Sequence, residues 1–100
     1  MLPKNRVTTH PGAILKEEFL VPLGITINAA AEALGIHRVE VSEIVNGHRA
    51  LSPRMSAKLA KCFGTSIEFW SGLQADYDTT KFMQSAEGRK ELAAVKPLVA

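Results

Sequence analysis

The sequence contains one cysteine and three histidines, which limits the chemistry that it can carry. Cys62 has no partner for an intramolecular disulfide, and a lone thiol is typical of proteins from a reducing cytoplasm. The histidines at positions 10, 37 and 48 lack the spacing of metal ligands. There is also no glycine-rich phosphate loop and no pair of carboxylates at a helix end. We therefore expect no catalytic residues, no metal and no cofactor, and a protein that is not an enzyme.

Long hydrophobic runs are also missing. No stretch approaches the length of a transmembrane helix, and the first residues, MLPKNRVTTHPG, lack the apolar core of a signal peptide. The chain is nevertheless 46% hydrophobic over 100 residues, which is enough for one small folded domain. We expect a soluble, cytoplasmic protein without a membrane partner.

The net charge of +2 is too small to indicate a partner, but the positive residues are unevenly placed. Residues 47–61 contain Arg49, Arg54, Lys58 and Lys61 and no acidic residue. Such a stretch is expected where a DNA backbone runs. It is equally typical of a solvated helix face, and the charge pattern leaves both interpretations open.

Apolar spacing and capping residues predict an all-α fold of five short helices with no strand. We expect a flexible N-terminal arm over residues 1–9, a folded domain over residues 10–78, and a helical or extended tail over residues 79–100 that is a possible dimerisation helix. A sixth helix over residues 81–94 would be interrupted or ended at Gly88. The first helix is predicted to start near residue 10 and to end at Pro22 and Gly24, and the second to be capped by Thr26. The third is predicted to start at His37 or Arg38 and to end at Val45. The fourth is capped by Ser52 and stopped by Gly64, and the fifth is capped by Ser66.

Four residues in the middle of this pattern, Ala31, Gly35, Val41 and Ile44, follow the spacing A-x3-G-x5-V-x2-I. Ala31 allows two helices to cross closely, and Gly35 suits the left-handed turn between them. This is the pattern of a helix-turn-helix, whose second helix is usually presented to the DNA major groove. The spacing therefore predicts DNA binding.

The outward face of the third helix supplies the candidate contacts with DNA. Arg38 is placed to pair with guanine, and Val39 to meet a thymine methyl group. Glu40 and Glu43 either tune specificity or orient Arg38, or are ordinary surface residues. The predicted base contacts are Arg38, Val39, Ser42 and Glu43, and the predicted phosphate contacts are Asn28, His37, Asn46, His48, Arg49 and Arg54.

Two further expectations concern apolar faces. Cys62 falls among Met55, Leu59 and Phe63 on the fourth helix, so a buried packing role is expected. The fifth helix carries more apolar and aromatic surface than a domain of this size can bury, and we expect part of it to contact a second copy. The residues predicted for that dimer interface are Trp70, Leu73 and Tyr77, with Phe69 and at least half of Trp70 assigned to the core.

Three segments resemble the HigA/VapI-type antitoxins of the XRE (Cro/C1-like) helix-turn-helix superfamily. Residues 10–20 (HPGAILKEEFL) are similar to the family's HPGEILREEFL, and residues 43–49 (EIVNGHR) to its EIVNGKR. Residues 64–70 (GTSIEFW) and 73–78 (LQADYD) resemble GTSPEFWLNLQAAYD. The resemblance spans roughly residues 10–78.

This resemblance implies a five-helix, lambda-repressor-like DNA-binding domain that forms a homodimer and binds a palindromic operator in its own promoter. It also implies a protein partner, a HigB/RelE-like toxin that cleaves mRNA, which the antitoxin neutralises. Ile27 departs from the family, many members of which have a phosphate-contacting glutamine at this position; Asn28 is the neighbouring substitute. Two alternatives remain beside the antitoxin and autorepressor: a toxin-sequestering module with weak DNA binding, and a stand-alone transcriptional repressor.

Overall fold

The computed structural model describes residues 9–99, and within them the chain forms six helices and no strand. Their bounds are α1 over residues 11–23, α2 over Ile27–Leu34, α3 over Arg38–Val45, α4 over Pro53–Phe63, α5 over Ile67–Gln84 and α6 over Ala86–Ala94. The hydroxyls of Thr26, Ser52 and Ser66 each accept a hydrogen bond from a backbone N–H in the first turn of the following helix. The predicted all-α class and these three helix starts are confirmed. All but the last residue of the predicted flexible arm over residues 1–9 lies outside the described residues.

The first helix ends at Gly24, as predicted, but it runs through Pro22, which was predicted to take part in ending it. Its middle section, Leu15–Leu20, has π-helical geometry, and the Val21 N–H donates to the carbonyl of Lys16, five residues earlier. Proline has no N–H, and its ring crowds the carbonyl four residues before it. The widened turn ahead of Pro22 accommodates this crowding, so the helix ends only at Gly24, which has a φ of 65°.

The C-terminal helices also differ from the prediction. Helix α5 runs through residue 78, the predicted domain boundary, to Gln84, and the break before α6 lies at Ser85 rather than at Gly88. The Ser85 hydroxyl caps α6 by accepting from the Gly88 N–H at 2.9 Å. Gly88 is needed for close packing, because a Cβ there would lie 1.8 Å from the Phe82 carbonyl oxygen. The chain from Val95 to Val99 is exposed and not helical.

The core lies where α1 to α5 meet and is built from aliphatic residues around one aromatic side chain. Trp70 is fully buried, its ring lies against Phe19 with centroids 5.2 Å apart, and its Nε1 donates to the Thr65 hydroxyl at 2.6 Å. Satisfying the indole N–H allows this large side chain to be buried without an unpaired donor. The buried hydrophobic residues are Leu15, Leu20, Ala30, Ala31, Leu34, Val41, Ile44, Leu51, Met55, Leu59, Ala60 and Trp70.

Two burial predictions are wrong. Cys62 is exposed, because the small residues Ser56 and Ala60 are buried beside Leu59 and rotate the buried face of α4 away from it. Phe69 is 40% exposed, since it packs edge-on against Trp70 at the rim of the core rather than inside it.

Helix α1 is pressed directly against the end of α3. A Cβ at Gly12 would lie 1.6 Å from the Ile44 carbonyl oxygen, so only glycine allows this approach. The His10 side chain caps α1, because its Nδ1 accepts from the Gly12 N–H at 2.9 Å. The close contact fixes the position of α3 relative to the rest of the domain.

Candidate nucleic-acid interface

Helices α2 and α3 are joined by a tight turn, as the A-x3-G-x5-V-x2-I spacing predicts. Gly35 ends α2 with a φ of 70°, and the Ile36 N–H donates back to the Ala31 carbonyl at 3.0 Å. His37 precedes α3 in an extended conformation, and its side chain makes no capping hydrogen bond. The first backbone N–H groups of α3 therefore have no side-chain cap, as a helix that binds a phosphate at its N-terminus requires.

The exposed face of α3 carries the residues that the sequence places there. Val41 and Ile44 are buried, with 0% and 1% of their surface exposed. Arg38 and Val39 are exposed. Glu40, Ser42 and Glu43 are half-buried at the edges of the same face. A helix with this distribution can present its first two turns to base edges while its other side packs on α1 and α2.

Arg38 is held in place by a residue of the neighbouring helix. Its Nε donates to Oδ1 of Asn28 at 2.8 Å, which joins the start of α3 to the start of α2. This contact engages neither the terminal guanidinium nitrogens of Arg38, which make bidentate contacts with guanine, nor the amide nitrogen of Asn28. The structure thus brings a predicted base contact and a predicted phosphate contact together as a pair.

Glu43 pairs with Arg49, not with Arg38. One carboxylate oxygen of Glu43 accepts from Nη2 of Arg49 at 2.6 Å and from Nε at 3.0 Å. The hydrogen bond and the charge of Glu43 raise the pKa of Arg49. Of the roles considered for Glu43, orienting Arg38 is therefore wrong, and its charge is partly neutralised where a phosphate would approach.

The segment that follows α3 is folded back onto that helix. Gly47 has a φ of 75°, and the His48 N–H donates to the Glu43 carbonyl at 2.8 Å. The Asn46 side chain donates to the Ser42 hydroxyl at 3.4 Å. Asn46, His48 and Arg49 are all exposed on this segment, residues 46–52, which we call the basic loop.

A groove of about 800 Å³ separates the turn of the helix-turn-helix from the start of α4. His37 and Glu40 line one side, and Arg54 and Lys58 line the other. Lys61 lies one turn further along α4 and is exposed. Arg54 and Lys58 therefore lie beside the start of α3, and Glu40 faces them across the groove.

Sequence reasoning missed two side chains, those of Gln74 and His10, that support the basic loop from the interior of the domain. The Gln74 carbonyl oxygen accepts from the Leu51 N–H at 2.8 Å, and its amide donates to Asp78 at 3.0 Å. His10 contacts Tyr77 edge-on, with ring centroids 4.9 Å apart. The available signal for Gln74 was a polar residue four positions after Trp70, on the buried side of α5.

Burial limits what the predicted dimer residues can do. Trp70 has no exposed surface, so its assignment to a dimer interface is wrong. Leu73 and Tyr77 are half-buried, and Tyr77 has the ammonium of Lys81 5.7 Å from its ring centroid. The large exposed apolar side chains lie further along the chain and include Phe82, Met83, Leu92 and Val95.

Residues 9–99 contain neither a membrane-spanning helix nor a cluster of metal-binding side chains. No helix in this range is both long and apolar enough to span a membrane. No group of three or more histidine, cysteine, aspartate or glutamate side chains there could hold a metal ion.

Comparison with known proteins identifies this arrangement. The helix-turn-helix family model matches residues 15–70. Antitoxin HigA-1 of Vibrio cholerae is 41% identical over 98 residues, which cover 98% of this chain and 90% of that protein. The structure of the Pseudomonas aeruginosa antitoxin HigA with the higBA promoter has a TM-score of 0.86 at 35% identity and covers 92% of this chain and 99% of its own. The structure of the antitoxin GraA in complex with its operator has a TM-score of 0.86 at 33% identity, and the match covers 100% of this chain and 100% of GraA.

The family model covers more than half of the chain, and its relatives named HigA match almost all of it. The resemblance in the three sequence motifs is thereby confirmed. The chain belongs to the XRE-type helix-turn-helix family, together with proteins named as HigA antitoxins.

Proposed function

We propose that this chain is a sequence-specific DNA-binding antitoxin that represses its own promoter. The observation that carries the proposal is the α2–α3 unit, which presents Arg38 at the exposed start of α3 and holds it there through Asn28. Relatives of nearly the same length, HigA and GraA, have been solved with a promoter and an operator. Operator DNA is therefore the partner we assign, which places the protein in the cytoplasm and requires neither catalysis nor a cofactor.

In the proposed complex α3 lies in the major groove. The Arg38 guanidinium contacts guanine, Val39 contacts a thymine methyl group, and Ser42 and Glu43 reach the next base edges. Phosphates are bound at the N-terminus of α3 and by surrounding side chains, which supply affinity without reading sequence. The phosphate contacts are assigned to Asn28, His37, Asn46, His48, Arg49 and Arg54.

A second copy of the chain completes the proposed DNA-binding unit. Two α3 helices about 34 Å apart on a two-fold axis would bind successive major grooves of a palindrome. The exposed apolar residues at the end of α5, on α6 and directly after α6 support a dimer contact there: Phe82 is 42% exposed, Met83 54%, Leu92 45% and Val95 64%. Burying such a patch against its own symmetry copy is the simplest way to remove it from water.

The antitoxin role adds a protein partner of the HigB/RelE-like class of mRNA-cleaving toxins. The pairing of Arg49 with Glu43 favours one competing function, a toxin-sequestering module with weak DNA binding, because a cation held by a carboxylate is less available to phosphate. A stand-alone repressor would bind DNA in the same way and would have no toxin partner.

Selection from random duplex DNA by the purified protein separates these possibilities. Enrichment of a palindrome is expected, and recovery of no preferred sequence would contradict the repressor. A small basic ribonuclease-like reading frame beside the gene would support the antitoxin role, and coexpression tests it: growth should be arrested by that protein alone and restored by this chain.

A further inference from the structure

Gln74 is a buried polar residue whose two hydrogen bonds connect α5 to the basic loop. Only 8% of its surface is exposed. Its carbonyl oxygen accepts from the backbone N–H of Leu51, 23 residues earlier in the chain, and its amide nitrogen donates to Asp78. A buried amide is retained only where both of its ends are satisfied, so the pairing defines where Leu51 lies.

Leu51 is close to the end of the basic loop, just before Ser52 caps α4. The opposite end of the loop is fixed to α3 by the hydrogen bonds from the Gly47 and His48 N–H groups. Gln74 therefore holds the second anchor of the exposed segment that carries His48 and Arg49. The Leu51 side chain, 7% exposed, strengthens this anchor by packing into the core.

The first end of the loop also meets α5, through His10. A Cβ built on Gly47 would lie 3.8 Å from Cγ of His10, so the imidazole packs against this turn. The same imidazole contacts Tyr77, three residues after Gln74 on α5. One turn of α5 thus supports both ends of the basic loop.

We propose that Gln74 is a positioning residue for DNA binding, which holds the basic loop in the position where His48 and Arg49 contact the phosphate backbone. The inference rests on the proposed function. Gln74 itself contacts no DNA, and its effect is expected on phosphate contacts and not on base preference.

The chemistry at position 74 requires an acceptor for Leu51 and a donor for Asp78. Methionine has nearly the same length and supplies neither. Glutamate, when ionised, accepts from Leu51 but faces a second carboxylate at position 78. In the double variant Gln74→Glu with Asp78→Asn, the side chain at position 78 donates and the one at position 74 accepts, the reverse of the wild type. Asp78→Asn alone keeps an acceptor for Gln74.

The test measures operator affinity by fluorescence anisotropy at several salt concentrations, for the wild type and these variants. At 0.15 M salt each lost phosphate contact lowers affinity about fivefold, so Gln74→Met should bind about 5- to 30-fold more weakly, with a flatter salt dependence and an unchanged base preference. Asp78→Asn should bind like the wild type. Gln74→Glu should be weak, and the double variant should recover part of the loss.

Two further measurements separate positioning from general stability. Thermal unfolding and Trp70 fluorescence establish that Gln74→Met is folded at the assay temperature. Ser56→Ala is the control for changing a buried polar residue, because the Ser56 hydroxyl has no hydrogen-bond partner among the described residues. Hydrogen exchange should be faster at the Leu51 amide in Gln74→Met and unchanged at Leu59.

Several results would overturn the proposal. These are a Gln74→Met variant with wild-type affinity and salt dependence, a loss of base preference at one position, or a double variant no better than Gln74→Glu. If the wild type itself binds no preferred DNA, the proposed function fails first, so the two failures are distinguishable.

Discussion

Replacing Arg38 with alanine tests the base-reading role that the structure gives to the start of α3. Arg38 is exposed, and its Nε is held by Asn28 at 2.8 Å. A bidentate contact between arginine and guanine discriminates by about 1–3 kcal/mol. A dimer on a palindrome makes this contact twice, so the loss is about 2–6 kcal/mol, or at least roughly 30-fold in affinity.

The assay is a titration of labelled duplexes that carry the selected palindrome or a single changed base pair. Wild-type protein should discriminate at every position, whereas Arg38→Ala should lose discrimination at one position in each half-site and keep it elsewhere. Asn28→Ala is the comparison variant: it keeps the guanidinium and removes both its support and the phosphate contact assigned to Asn28, so it should lower affinity on all duplexes and keep the base preference. Its effect through Arg38 should be smaller, since ordering one long side chain on binding costs about 0.5–1.5 kcal/mol.

Two outcomes would refute this reasoning. A uniform loss of affinity on all duplexes, with a flatter salt dependence, would make Arg38 a phosphate contact and not a base contact. Unchanged affinity and unchanged preference would remove Arg38 from the interface altogether.

Four other predictions concern phosphate binding, packing, pH and assembly. Arg49→Ala should weaken binding to all sequences alike and reduce the salt slope by about 0.9 per half-site, and an unchanged slope would argue against a phosphate contact. Gly12→Ala should lower the free energy of unfolding by about 1–3 kcal/mol in denaturant titrations because its Cβ would lie 1.6 Å from a carbonyl oxygen of α3; Gly72→Ala on α5, where a Cβ meets nothing within 4 Å, should raise it by about 0.5–1 kcal/mol. Burial lowers the pKa of His10 below its ordinary value of 6.5, although the charge of a nearby aspartate acts in the opposite direction. The unfolded chain therefore binds a proton that the folded chain does not, and stability should fall as pH drops below about 6.5. His10→Asn should reduce this pH dependence. Met83→Asp should make the protein a monomer in sedimentation at micromolar concentration, and a persisting dimer would place the interface elsewhere.

Most of the fold follows from local sequence signals. A hydroxyl at Thr26, Ser52 or Ser66 satisfies backbone groups within its own helix start, and Gly35 provides the left-handed residue its turn requires. These interactions span only a few residues, so the sequence displays them directly. The continuation of α1 through Pro22 was missed because a π-helical turn depends on packing, not on the propensity of any one residue.

The candidate site was predicted less completely, because its contacts join residues that are distant in the chain. The outward positions of α3 follow from helical spacing, and the structure confirms which side chains lie there. Which of them pair does not follow from spacing: Arg38 meets Asn28 ten residues away, and Leu51 meets Gln74 twenty-three residues away. Their pairing depends on how α2, α3 and α5 pack, which no local pattern specifies.

These pairings change how the acidic residues near α3 are interpreted. A carboxylate at position 43 repels phosphate if it is isolated, which favours weak DNA binding. Paired with Arg49, it repels phosphate less but holds the guanidinium at the edge of the proposed interface, so a phosphate that approaches must compete with Glu43 for that cation. Affinity then depends on how Arg49 divides its donors between Glu43 and the DNA. Glu43→Gln should therefore strengthen binding to all duplexes and steepen the salt dependence if the pair restrains Arg49. Loss of preference at a single base pair would show that Glu43 reads a base itself.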